Sequence, residues 1–449
     1  MNLPAHFITS IRHTKGFDQP AFEQVHASGQ QITSIRLNPL KPVRDNPAFL
    51  RLCSPIPWTE HGYYLAERPS FTFDPLFHAG CYYVQEASSM LLEQAMRQHT
   101  DLSQPLKVLD LSAAPGGKST HLQSLISRDS LLVSNEVIRS RAQILKDNII
   151  KWGGANTAVT NNDPRDFARL PGYFDVVVVD APCSGSGLFR REPEAMEEWS
   201  TQNVQLCAQR QQRILADVLP SLKKDGLLIY STCSYSEEED EAIGRWLVNE
   251  CGLRSLSLSL PADWGIIQSE GGYRCWPDQV KGEGFFLACF QKTTGETGFN
   301  GRPNRKPVLA PSVAIPVLKK WIRTEGLKLL MHETSVYAWP EQLFNDFSLL
   351  LDKLRVLYTG VLVGELIRDK LVPDHALAMS TCLSDQVKHI ELLPDAAILY
   401  LQKKELNIEN AEKGWQLVTY GGYPLGWVNV LPNRINNYYP KELRILKDK

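Results

Sequence analysis

Leu106-Lys107-Val108-Leu109-Asp110-Leu111 runs directly into Ser112-Ala113-Ala114-Pro115-Gly116-Gly117-Lys118, so an apolar strand ends in a small-residue turn from which a helix starts near Lys118. Small residues let a ligand approach the backbone, and the free N–H groups of a helix start favour its polar end. Taken alone, such a turn is also an ordinary structural junction. Outward from it, residues 106–291 alternate short β-rich runs with amphipathic helices, the pattern of a doubly wound α/β domain. Further strands are expected at 131–134, 156–160, 174–179 and 226–230; Val176-Val177-Val178-Val179 suits a parallel strand covered on both faces. Ile138, Ala142, Leu145, Ile149 and Trp152 repeat at alternating steps of four and three, one apolar helix stripe. Helices are expected at about 203–222 and 237–251, and strands at 253–260 and 285–290 close the domain, the last pair with an antiparallel return.

The domain fits into a longer plan. Residues 1–75 read as a small α+β module, joined by a helix over about 85–98 to a central domain at 76–292. A Gly/Pro/Asn-rich linker follows at 293–311, then a mixed α/β region at 312–370 and a mainly β region at 371–449. With 43% hydrophobic and 22% charged residues in 449, the composition is that of a globular protein of about two to four domains. No stretch approaches the roughly 18 to 20 apolar residues of a membrane span and no signal peptide is evident, so no membrane partner and a cytoplasmic location are expected. A net charge of -2 excludes a uniformly basic nucleic-acid binder and requires any such footprint to be local. Arg302, Arg305, Lys306, Lys319, Lys320 and Arg323, in a stretch without an acid, offer one. The nine cysteines are scattered, with no CxxC or Cys/His spacing for zinc, so no metal is expected and most thiols read as reduced packing residues.

Two cysteines differ from the rest. Cys233 follows the apolar run Gly226-Leu227-Leu228-Ile229-Tyr230, and Cys183 follows Phe174 to Val179 in Asp180-Ala181-Pro182-Cys183-Ser184-Gly185. Both should emerge at the carboxyl edge of the sheet, where open α/β folds hold their sites. A lone cysteine there is usually a packing residue; two in one crevice, with Asp180 beside them, point to covalent chemistry on a pyrimidine. A thiolate adding to carbon 6 of cytosine activates carbon 5 toward a sulfonium methyl, a second thiol helps expel the first, and a carboxylic acid near ring nitrogen 3 stabilises the adduct. Glu136, about 20 residues past the glycines, is placed to accept ribose hydroxyls, so the turn reads as a nucleoside-cofactor site. Asp163, in Asn161-Asn162-Asp163, is placed for an adenine amino group or is simply a turn residue before Pro164. Gly117-Lys118-Ser119 resembles the end of a phosphate loop, but Ser112 stands where that loop needs glycine, and the G-x-G-x-x-G of dinucleotide enzymes is absent. Glu237 to Glu241 read as a helix start, with Ser236 and Glu239 as a capping box, and not as catalytic acids. Arg190 and Arg191 overhang the crevice, to hold phosphates or to pair with nearby glutamates. Tyr82 and Tyr83 are placed to stack on bases or to fill core.

These motifs, in this order from Tyr82 through Phe290, resemble the RNA (cytosine-5) methyltransferase family, most closely its bacterial ribosomal small-subunit methyltransferase F branch. The resemblance implies a Rossmann-like class I methyltransferase domain with S-adenosylmethionine cradled by Ser112, Ala113, Ala114, Pro115, Gly116, Gly117 and Lys118. It implies Glu136 on the ribose, Asp163 at adenine, and Asp180 near the methionine end or the target base. Cys233 would be the nucleophile and Cys183 the residue aiding release. Pro424-Leu425-Gly426-Trp427 and Asn437-Tyr438-Tyr439-Pro440 resemble the tail of that branch, a PUA-like barrel that grips RNA, and residues 1–75 resemble its small RNA-binding lead domain. Ser112 and Trp152 stand where relatives often carry cysteine and arginine. The expected partner is ribosomal small-subunit RNA or an assembling subunit, met by a monomer; the alternatives are the same chemistry on transfer RNA, or a catalytically silent RNA-binding or ribosome-assembly factor.

Overall fold

The computed structural model describes residues 3–43, 54–304, 306–406, 408 and 411–448. Cys53 and Arg305 lie outside the described residues. At the centre is a ten-stranded mixed sheet. Its parallel core comprises β1 (Lys107–Asp110), β2 (Leu131–Asn135), β3 (Thr157–Thr160), β4 (Phe174–Asp180) and β5 (Leu222–Thr232), in spatial order β3-β2-β1-β4-β5. The chain winds outward from β1 to β3, then returns to lay β4 on the other side of β1, so the strand order reverses between β1 and β4. Crevices form above such a switch point. On the far side, β6 (Leu253–Leu256), β7 (Ile267–Ser269), β8 (Gly272–Cys275) and β9 (Phe285–Lys292) add antiparallel strands, with β9 against β5.

The period of two in the valine run explains why these strands sit centrally. Val177 and Val179 enter one buried cluster with Leu109, Leu228 and Tyr230, whereas Val176 and Val178 enter the opposite one with Val108, Leu227 and Ile229. Each buried branched side chain contributes about 1.5–3 kcal/mol, so both faces must be covered. Helices α1 (Gly117–Leu125), α2 (Arg139–Trp152), α3 (Thr201–Val218) and α4 (Glu241–Asn249) belong to this domain. On α2 the stripe Ala142, Leu145, Ile149 and Trp152 is buried, and Leu145 and Ile149 pack beneath Ala113 and Ala114. Ile138 departs from expectation: it is the extended residue before the helix and 49% exposed, because its backbone is not helical and its side chain leaves the stripe. The hairpin of β7 and β8 was not foreseen, and the helix expected at 85–98 is a 3-10 turn, Ser88–Leu91, leading into Leu92–His99.

An antiparallel sheet built from Ser54–Pro55, Gly62–Leu65, Thr33–Leu37 and Tyr82–Val84 precedes this domain. Two further four-stranded sheets follow it. One runs from Leu327–His332 to Lys370–Pro373, and the other comprises His389–Glu391, Gly414–Tyr420, Tyr423–Leu431 and Arg434–Asn437. Gly421 and Gly422, both at positive φ, turn the hairpin between the long strands of the latter. Within the stretch that forms the first of these sheets, β10 (Val356–Thr359) leaves that sheet and pairs with β3, covering an edge of the central sheet. Among the described residues no helix is long and apolar enough to cross a membrane.

Candidate active site

Four neighbouring parallel strands each end at or just before a carboxylate: Asp163 after β3, Glu136 after β2, Asp110 on β1 and Asp180 on β4. The Ser112–Lys118 turn follows β1 and is tied to the end of β2, the Ala113 N–H donating to the Asn135 carbonyl at 2.8 Å. Gly116, at φ +119, is the residue from which α1 starts, a conformation that a side chain would strain. Helix α2 holds the turn by donating from Arg141 to the Ala114 carbonyl at 3.0 Å and from Asn148 to the Pro115 carbonyl at 2.8 Å. Asp110 is fully buried; one oxygen accepts from the Ser119 hydroxyl at 2.6 Å, and the other has no partner. Burial pushes its carboxyl up to about 7. Glu136 is buried and accepts from the Ile138 N–H at 2.9 Å, with Arg141 at 3.7 Å. Asp163 caps the short helix Pro164–Arg169, accepting from the Arg165 N–H at 3.2 Å.

This set of acceptors suits a cationic nucleoside. Carboxylates take ribose hydroxyls and amino groups, and the exposed Val137 and Ile138 beside Glu136 offer apolar surface for a base. A polyphosphate would meet repulsion. The two groups that resembled a phosphate loop are also committed inward: Ser119 to Asp110, and Lys118 to Asp180 at 2.8 Å. Lys118 is only 15% exposed; burial pulls its ammonium down, but the Asp180 and Asp110 carboxylates hold it above its ordinary range. Asp180 accepts from the Ser231 hydroxyl with its remaining oxygen, at 2.7 Å. In charge and in donor and acceptor chemistry, these strand ends and the Ser112–Lys118 turn fit a cationic nucleoside such as S-adenosylmethionine.

The cysteines meet at the next strand ends. Because β4 and β5 pair with Asp180 opposite Ser231, the loops that follow run side by side, and the Cys183 and Cys233 sulfurs stand 3.0 Å apart, each half-buried. Gly187 permits the approach: its N–H donates to the Cys233 carbonyl at 2.8 Å, and a β-carbon there would fall 2.6 Å from the Gly284 carbonyl oxygen and 2.8 Å from that of Cys233. The hydrogen bond with Cys233, together with burial and the nearby Glu239, pushes the Cys183 thiol well above its usual range.

The capping box is corrected here, and several open alternatives are decided. The acidic run does open the helical segment that leads into α4, with Glu237 and Glu238 exposed, but Glu239 and Asp240 are fully buried and Glu241 nearly so. Ser236 makes no capping bond, because Glu239 turns inward to Ser184, Ser234 and Gln211. Asp240 and Glu241 pair with the buried Arg274. Arg190 is no phosphate hand: it is buried, donates to the Gln30 carbonyl at 2.7 Å and lies 3.7 Å from Glu283, while Arg191 is exposed. Tyr82 is core, donating to Asp74 at 2.6 Å; Tyr83, half-buried, lies against Gly117. Trp152 is buried with the Arg36 guanidinium 4.6 Å above its ring. Arg302, Lys306, Lys319, Lys320 and Arg323 are exposed. The Lys118–Asp180 pair and the Glu239 cluster were missed; the signals for them were the lysine closing the glycine turn and the polar residues flanking each cysteine motif.

Comparison with known proteins agrees along the chain. Residues 98–291 match the family described as 16S rRNA methyltransferase RsmB/F, and residues 3–87 the N-terminal domain of 16S rRNA methyltransferase RsmF. Residues 318–381 and 387–445 match the RsmF first C-terminal domain and the RsmF PUA domain. Ribosomal RNA small subunit methyltransferase F of Pectobacterium atrosepticum is 30% identical over 98% of this chain and 96% of its own length. The protein of that name from Escherichia coli O127:H6 is 31% identical over 91% and 90%. A solved methyltransferase homologue from Pyrococcus horikoshii is 26% identical, with a TM-score of 0.55 over 64% of this chain and 94% of its own. NSun6 from the same organism, solved with SFG, shares the fold at 18% identity and TM-score 0.55, over 65% of this chain and 99% of its own. The chain belongs to the ribosomal RNA small subunit methyltransferase F family of S-adenosylmethionine-dependent enzymes.

Proposed function

We propose that this enzyme methylates carbon 5 of a cytosine in small-subunit ribosomal RNA through a transient bond between Cys233 and the base. The observation that carries the reading is the pair of sulfurs 3.0 Å apart at the ends of adjacent strands, next to an acidic nucleoside cradle. The Cys233 thiolate adds to carbon 6, and the ring electrons move to make carbon 5 nucleophilic. Bound S-adenosylmethionine supplies the electrophilic methyl group that carbon 5 takes. Carbon 5 then carries both methyl and proton. Cys183, kept as a thiol, gives its proton to the departing Cys233 sulfur, and its thiolate removes the carbon 5 proton as the carbon–sulfur bond breaks and the double bond re-forms. The Lys118–Asp180 pair keeps spare N–H donors and carboxylate lone pairs, and we assign these to the ring nitrogen and the exocyclic amine of cytosine.

The small lead module at 1–75 and the PUA-type region at 371–449 are assigned to gripping RNA around the target, with 76–292 performing the chemistry. Transfer of labelled methyl from S-adenosylmethionine to 16S ribosomal RNA tests the reading. Cys233→Ala should lose the label entirely, and bisulfite mapping should place it on cytosine. Label on another base, or full transfer by Cys233→Ala, contradicts the reading.

A further inference from the structure

Glu239 is a buried carboxylate that the chemistry above does not use, yet it reaches both cysteine loops. One oxygen accepts from the backbone N–H of Ser184 at 2.8 Å and from the Gln211 amide at 3.1 Å. The other accepts from the Ser184 hydroxyl at 2.5 Å and the Ser234 hydroxyl at 2.7 Å. Ser184 directly follows Cys183, and Ser234 directly follows Cys233. Gln211 extends the clamp by donating to the Pro182 carbonyl at 3.0 Å, on the other side of Cys183. The Tyr230 hydroxyl ties the Glu239 backbone down at 2.6 Å. Four donors into one carboxylate fill its acceptor capacity, and among the described residues no other single side chain joins the two loops with as many bonds.

We propose that Glu239 is the positioning residue that sets the separation of the two sulfurs. This rests on Cys233 and Cys183 acting as nucleophile and release residue. Without the clamp, the Ser184 N–H loses its acceptor in a dry interior and the Cys183 loop must move to satisfy it. A shift of about 1 Å at a reacting group costs on the order of 100-fold.

The test reads sulfur separation directly on the full-length protein. Diamide, an azo oxidant, removes one hydrogen from each of two neighbouring thiols and joins them, and peptide mass spectrometry times the Cys183–Cys233 link. The wild type should link readily, and Glu239→Ala at least about tenfold more slowly, with kcat reduced by a similar factor and the KM for S-adenosylmethionine unchanged. Glu239→Gln should stay within about threefold of wild type, because its carbonyl keeps the two N–H donors and both serine hydroxyls rotate to accept its amide. Should Glu239→Ala fail to fold, the Ser184→Ala/Ser234→Ala double variant removes the hydroxyl anchors and should also slow linking. Wild-type linking rates in Glu239→Ala or in the serine double variant overturn the proposal, as does a glutamine variant as slow as alanine. The link forms without RNA or methyl donor, so methylation that survives Cys233→Ala refutes the catalytic reading separately from these outcomes.

Discussion

The Lys118 ammonium lies 2.8 Å from the Asp180 carboxylate, joining the turn after β1 to the end of β4 across the reversal point of the sheet. The pair lies between the Ser112–Lys118 turn and the two cysteine loops, where the proposed cofactor and base sites adjoin. Lys118→Met leaves Asp180 without its charge partner, which costs about 1–3 kcal/mol of local stabilisation. The expected outcome is a tenfold or greater fall in kcat/KM for S-adenosylmethionine, measured by steady-state methyl transfer, with a modest drop in Tm.

Asp110 gives a pH dependence with a definite sign. Burial raises its carboxyl to about 7 in the folded protein, above its unfolded value, so between about pH 4 and 7 the folded state holds the extra proton. The contribution is fully present at low pH and is lost as pH rises through 7. Asp110→Asn should therefore gain stability relative to wild type on going from pH 5 to pH 8, by up to about 1.4 kcal/mol per pH unit until the carboxyl is ionised. Urea unfolding of both proteins at the two pH values checks this.

Asn162 links the cofactor loop to the following region. Its side chain accepts from the Arg355 N–H at 2.9 Å and donates to the Arg355 carbonyl at 3.1 Å, just before β10. Asn162→Ala removes both bonds and frees the neighbouring Asp163. We expect the KM for S-adenosylmethionine to rise several-fold with little change in kcat, and a loss of about 1–3 kcal/mol in stability, read by kinetics and chemical denaturation.

Gly187→Ala places a methyl group against the Cys233 and Gly284 carbonyls. Since both are backbone, the Cys233 loop must shift. Methyl transfer should fall by about tenfold or more, while calorimetry shows S-adenosylmethionine binding unchanged.

The central fold was legible because its signals are periodic. The valine run, the α2 stripe and the spacing from glycine turn to Glu136 each follow from strand and helix geometry, and they put Cys183 and Cys233 at adjacent strand ends. What escaped has the opposite character. Glu239 lies in an acidic run that locally favours a solvated helix start, and only the tertiary approach of Ser184 and Ser234 turns it inward. Ile138 fits the helical period but precedes the helix, and β10 reaches β3 from nearly 200 residues away, a pairing no local pattern announces.

The central claim is a covalent bond between Cys233 and the target base that Cys183 helps to break. Incubating Cys183→Ala with S-adenosylmethionine and 16S ribosomal RNA, then resolving the mixture under denaturing conditions, tests it most directly. A protein–RNA adduct should accumulate, and it should vanish in the Cys183→Ala/Cys233→Ala double variant. Normal turnover by Cys183→Ala with no adduct, or an adduct that persists without Cys233, would contradict the account.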